Sequence, residues 1–213
     1  TGEKGLAGYA SGVIQSLAQF LEMFCRVDAN FLDDMLQRHP NLRQTYRFHI
    51  DTLCLQQYYP RVGDTGGFAQ KTEQYMGVRF SKVSGLLPSM YTFLWRLYER
   101  TGDVAYVQAL YRANDNGVAG LPYDLFIEDC EKVQQSVEGI IAAEGVAICN
   151  ESMNKEEWHL ALLRSGQRDQ ERVVWLDYDT GGRHGHLDGL NMGLFAKGLD
   201  LMPDFGYPPV HMG

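Results

Sequence analysis

No apolar run in the 213 residues reaches the roughly 20 residues that a membrane-spanning helix needs, so no partner membrane is expected. Lysine and arginine never gather into a block. With 19 of them against 27 acidic residues, the net charge is −8. That balance argues against a nucleic-acid partner, which would need a basic face. It leaves a polyanionic substrate open, because a local basic groove can sit in an acidic protein. The four cysteines (Cys25, Cys54, Cys130, Cys149) form no CxxC pair and no small-scaffold framework; they are expected to be buried free thiols. No internal repeat is visible. The chain opens at Thr1 without a signal-peptide pattern, so composition leaves its compartment open.

What is present is ordinary globular material, 45% hydrophobic and 22% charged. Its length suits one large or two small domains with a buried core. Val13, Ile14, Leu17, Phe20, Leu21 and Phe24 fall at helical spacing. Asn30 is placed to cap a shorter helix carrying Phe31, Leu32, Met35 and Leu36, stopped by His39-Pro40. Leu42, Tyr46, Ile50 and Leu53 mark a third helix. The glycine-rich stretch PRVGDTGG is a loop, and a further helix is expected around residues 67–77. Met90, Phe93, Leu94, Leu97 and Tyr98 define a strong helix closed by Gly102. Val104 to Arg112 makes another, and residues 124–136 are partly helical.

From about Val137 the pattern changes. Val146–Cys149, His159–Leu163, Val173–Leu176, Leu190–Ala196 and Leu199–Met202 are short apolar runs bounded by turn residues, the spacing of an antiparallel sheet. Helices first and strands afterwards, without βαβ alternation, predict an α+β fold. The division is drawn as a helical part, 1–136, and a β part, 137–213.

The chemistry concentrates in Val173–Pro208, VVWLDYDTGGRHGHLDGLNMGLFAKGLDLMPDFGYP. If His186 begins a strand, His184, His186 and Asp188 share one face, because strand side chains repeat every two residues. Paired imidazoles with a carboxylate suit a divalent metal such as zinc. Asp204 ends the next apolar run, where hairpin pairing can bring it opposite His186. The plainer alternative is a solvated loop whose histidines bond the backbone.

Two families use such a string. Metallo-β-lactamase-like hydrolases carry HxHxDH, but Gly189 follows Asp188 here, so a ligand is lost. GRHGHLDGLNMGLFAKGLDLMPDFGYP more closely resembles the signature of heparinase II/III-like polysaccharide lyases and their oligoalginate-lyase relatives. That signature is Gly-His-Gly-His, an acidic residue, a strand ending in a Lys-Gly turn, and Asp-x-Gly-Tyr; here the first element stands as Gly182-Arg183-His184-Gly185-His186. Leu163-Arg164-Ser165-Gly166 resembles the strand before that block. GLAGYASGVIQSL resembles the segment where a Gly-Tyr pair opens a toroid helix.

The resemblance implies a partial (α/α) toroid of antiparallel helices followed by the start of an antiparallel β-sandwich, as if the chain spanned the junction of the two. It implies β-elimination on a uronic-acid-containing anionic polysaccharide or oligosaccharide, in a periplasmic or secreted setting. Tyr9 would serve as general acid and as base, and His184 as base or carboxylate partner. His186 and Asp204 would hold a structural zinc whose third ligand is not evident, His211 being the nearest substitute. Arg164 and Arg183 are candidate contacts for the anionic sugar, or simply surface charge. Tyr58, Tyr59 and Asp64 are cleft candidates, the tyrosines equally core. Trp95 is read as core, and Trp158 as a sugar platform or core. The family's carboxylate-neutralising residue has no counterpart before Tyr9. A zinc hydrolase of HxHxD type, or a non-catalytic carbohydrate-binding relative, are the competing readings.

Overall fold

The computed structural model describes residues 6, 9–63, 86–179 and 190–204, the side chains of Tyr9, Ser11 and Arg168 excepted. The fold is α+β: among the described residues, six α-helices come first, and a five-stranded antiparallel sheet follows. The expected helix at 67–77 lies outside the described residues. The chain divides into two compact units. One comprises Val13–Ile50 with Arg79–Ile148; the other comprises Thr1–Gly12, Asp51–Val78 and Cys149–Gly213.

The helical unit is built on α1 (Tyr9–Val27), α2 (Phe31–Arg38), α3 (Asn41–Asp51), α4 (Pro88–Thr101), α5 (Val104–Ala113) and α6 (Cys130–Glu144). On α1 the buried stripe is Ile14, Ala18, Leu21 and Cys25. Val13, Phe20 and Phe24, expected on the core face, are exposed. Hydropathy names the apolar residues of a helix but not which of them a neighbour covers, and here the covered face includes small Ala18. Asn30 stands at the N-cap of α2 without a side-chain cap bond; its own N–H donates to Asp28 instead. On α3, Tyr46 packs against Phe93 of α4 with ring centroids 4.7 Å apart, and its hydroxyl donates to the Ile14 carbonyl.

Pro88 opens α4, where its missing N–H costs nothing. Gly102 closes it at φ 67°, its N–H donating to the Tyr98 carbonyl. Asp103 then caps α5 by accepting from the Ala105 N–H and pairs with Arg47 at 3.0 Å. One buried charge group lies among these helices. Arg96 donates through Nε to both oxygens of Glu22 at 3.0 Å, and Arg26 donates to Asp124 at 3.1 Å. Both carboxylates are almost fully buried, which is tolerable only because each is paired.

Helix α6 continues across the expected change of character at 136/137. The run Val146–Cys149 that follows is not a strand, contrary to expectation. Gln108 of α5 donates its side-chain amide to the carbonyls of Gly145 and Ala147. Those acceptors are bonded within the helical unit, so the run joins no ladder.

The sheet comprises β1 (Met153–Lys155), β2 (Leu160–Ser165), β3 (Arg172–Asp177), β4 (Asn191–Ala196) and β5 (Leu199–Asp200), hydrogen-bonded in chain order. Strand alternation sends Leu160, Leu162, Val173, Trp175, Asp177, Gly193 and Phe195 to one buried face. Trp175 lies opposite Gly193 in the ladder. A Cβ at Gly193 would sit 2.3 Å from the indole, so only glycine fits. Lys197 and Gly198, at φ 53° and 72°, join β4 to β5; two positive-φ residues are what a tight hairpin requires. Cys25 and Cys54 are buried free thiols as expected, but Cys149 is exposed and Cys130 only partly covered.

Segment 51–63 packs on the sheet within the same unit. Tyr58 stacks flat on Phe195, and its hydroxyl donates to the Gly198 carbonyl at 2.8 Å. Lys155 pairs with Asp51 at 2.6 Å.

Candidate active site

β3 and β4 pair over six residues, from Arg172–Ala196 to Asp177–Asn191. Asp177–Asn191 is therefore the last rung before the stretch of sequence that carries Gly182-Arg183-His184-Gly185-His186. Asp177 is buried and accepts from the Asp179 N–H at 3.2 Å, turning the chain out of the strand. On the other side, Leu190 at φ 61° turns the chain in. Arg183, His184, His186 and Asp188 lie outside the described residues, as do Asp64 and His211.

Asp204 comes to that last rung. Asn191 donates through Nδ2 to Asp204 Oδ2, and Asn191 Oδ1 accepts from the Met192 N–H at 2.8 Å. The second bond sets which way the Asn191 amide faces and aims its donor at the carboxylate. A carboxylate is among the ligand types that zinc accepts. Among the described residues, no three His, Cys, Asp or Glu side chains are grouped to hold a metal ion.

Tyr9 opens α1, where the Gly-Tyr resemblance expects a helix start; its side chain lies outside the described residues. Arg164 sits on β2 with its side chain 5% exposed. It donates to Glu171 at 3.3 Å and to the Asp51 carbonyl at 2.9 Å, with Cys54 Sγ at 3.9 Å. Contact with a sugar would require that arrangement to open. Tyr58, Tyr59 and Trp95 are buried, and Trp158 is half-covered.

One residue with site character had escaped the sequence reading. Asp200, on β5, has its carboxyl pushed up to about 6, first by burial and then by the charge of Asp204; Arg61 and the Met202 N–H pull against that rise. Asp200 Oδ1 is buried with no hydrogen-bond partner among the described residues. A group titrating in this range can exchange protons near neutral pH. Its only sequence signal is its place just after the Lys-Gly turn, beside the loaded stretch. Cys54, by contrast, is pushed up to about 12 by burial, so its thiol stays protonated and inert.

No protein-family model and no curated protein matches the chain.

Proposed function

We propose that the chain is part of a polysaccharide lyase that cleaves a uronic-acid-containing anionic glycan by β-elimination. The reading rests on the resemblance of residues 173–208 to heparinase II/III-like lyases. The observation that supports it most is the hydrogen bond from Asn191 to Asp204, which sets the one described candidate ligand beside the last rung of the β3–β4 ladder.

Elimination needs a base for the C5 proton, relief of charge at the adjacent carboxylate, and an acid for the leaving oxygen. The C5–H electron pair becomes the C4–C5 double bond as the C4–O bond breaks, and the departing oxygen takes a proton. His184 takes the C5 proton or faces the substrate carboxylate. Tyr9 gives the proton to the leaving oxygen. Arg183 holds the anionic chain, as a guanidinium does for carboxylates. Arg164 enters this reading through its hold on Asp51, which fixes segment 51–54 beneath β2. His186 and Asp204 would hold a zinc ion; when bound, it supplies structural bracing of the loop that carries His184. A polymeric glycan of this kind is met by a secreted or periplasmic enzyme.

The direct test is incubation with alginate, heparan sulfate and ulvan while absorbance of an unsaturated uronate is followed in the near ultraviolet. A gain in absorbance that grows with enzyme concentration supports elimination. New reducing ends without that absorbance would replace the lyase with a hydrolase. Glycan binding without chain cleavage would mark a non-catalytic carbohydrate-binding protein.

A further inference from the structure

We propose that the outer face of the sheet docks a second copy of this chain, so that two sheets meet face to face as the layers of a β-sandwich. The inference does not depend on the chemistry proposed above. It starts from a failure of alternation. An antiparallel sheet with one face buried ordinarily sends polar side chains to the other. Here Leu162, Val173, Trp175 and Phe195 turn to the buried face. The positions between them carry Ala161, Leu163, Val174, Leu176, Met192 and Leu194, and none of these is polar. The register draws them into one patch. Val174 lies between Leu163 and Leu194, and Leu176 lies between Ala161 and Met192. Leu199, opposite Ala196, extends the patch onto β5. Leu163 is 65% exposed, Met192 48% and Leu199 55%, so these side chains stand open to solvent.

Three features point to a second copy as the occupant. The first is charge. The chain carries 27 acidic and 19 basic residues, yet the patch holds neither sign; Arg172 and Asn154 stand at its margin. A face without charge selects no oppositely charged partner and meets its own image without repulsion. An apolar centre with a polar margin is also the anatomy of a protein interface. The second is shape. Small Ala161 and Val174 alternate with larger Leu163 and Leu176, and interdigitation of such side chains is how sandwich layers pack. A two-fold axis makes each of those contacts twice. The third is area. The patch offers roughly 500 Å2 per copy, so a pair removes about 1,000 Å2 from water, the threshold of a specific interface. An interface of that size predicts association in the micromolar range.

Sedimentation equilibrium of the 213-residue chain between about 1 and 100 µM tests this, a dimer being expected to form across that range. Leu163→Lys and Met192→Lys should each raise the dissociation constant by about 100-fold or more, because each places a charge twice in an apolar contact. Leu163→Thr, which keeps strand propensity, should raise it by about 10-fold and serves where the lysine variants fail to fold. Circular dichroism of dilute samples establishes folding of each variant. Phe20→Lys alters the separate exposed apolar face of α1 and should leave the dimer intact. A chain that is monomeric throughout the range overturns the proposal. A dimer unmoved by every sheet variant, or one dissolved by Phe20→Lys, places the contact elsewhere and overturns it as well.

Discussion

Tyr58 lies parallel to Phe195, ring centroids 5.1 Å apart, and its hydroxyl closes on the carbonyl of Gly198 in the turn that follows that strand. A single side chain therefore joins segment 51–63 to both the strand and the turn of the β4–β5 hairpin. Gln57 adds a second donor to the same carbonyl at 3.1 Å. The hairpin leads directly to Asp200 and Asp204, so its stability governs where those carboxylates stand. Tyr58→Phe should keep the stack, lose one hydrogen bond, and cost about 1 kcal/mol. Phe195→Ala should cost about 3–5 kcal/mol by leaving a cavity beneath Tyr58. Urea unfolding followed by tryptophan fluorescence checks both; equal losses would mean that the stack contributes little.

Asp200 makes the stability of the sheet unit depend on pH in an unusual direction. Burial raises its folded-state value from 3.8 to about 6, so the folded chain retains a proton that the unfolded chain has released. The stabilising contribution is complete below the unfolded value and is lost as pH rises through about 6. Asp200→Asn should therefore be more stable than the parent at pH 7 by on the order of 1 kcal/mol, after discounting for solvent screening. The difference should shrink toward pH 4. Parallel urea midpoints for the two proteins across pH 4–8 would refute this assignment.

The Glu22–Arg96 pair makes a separate prediction in the helical unit. Arg96→Leu leaves the Glu22 carboxylate buried, with only more distant cations for compensation, and should cost about 3–5 kcal/mol. Changing both residues, as Glu22→Met with Arg96→Leu, should recover most of that loss, because two apolar side chains need no partner. A double variant as unstable as Arg96→Leu alone would show that the pair is not the unit that matters. Thermal melting of the three variants decides.

Under the proposed function the two histidines of the loaded stretch divide their work. His184→Ala should abolish elimination while zinc stays bound. His186→Ala should lose zinc and lower the melting temperature together. Metal content and absorbance gain, measured on the same preparations, separate the two effects. Equal metal loss in both variants would end that division.

Much of the α+β order was legible because local periodicity reports it. Four of the five apolar runs expected as strands form β2 to β5, though β5 keeps only Leu199–Asp200. Gly102 and the Lys197-Gly198 turn were readable because few residues adopt positive φ cheaply. The Val146–Cys149 run misled because a strand exists only where a neighbouring strand pairs with it, and its Ala147 carbonyl accepts from the Gln108 side chain instead. The exposed face of α1 misled because hydropathy counts apolar residues without knowing what covers them.

For the candidate site, the sequence alone determined which residue types are present and that His184, His186 and Asp204 lie near one another along the chain. Tertiary structure decided that Asp204 is bonded to Asn191, that Arg164 is occupied by Glu171 and Asp51, and that Asp200 stands half-buried near Arg61. Spacing sets the reach of a side chain. The partner it meets, and the charge it can keep, depend on burial and on segments distant in sequence, which only the folded chain brings together.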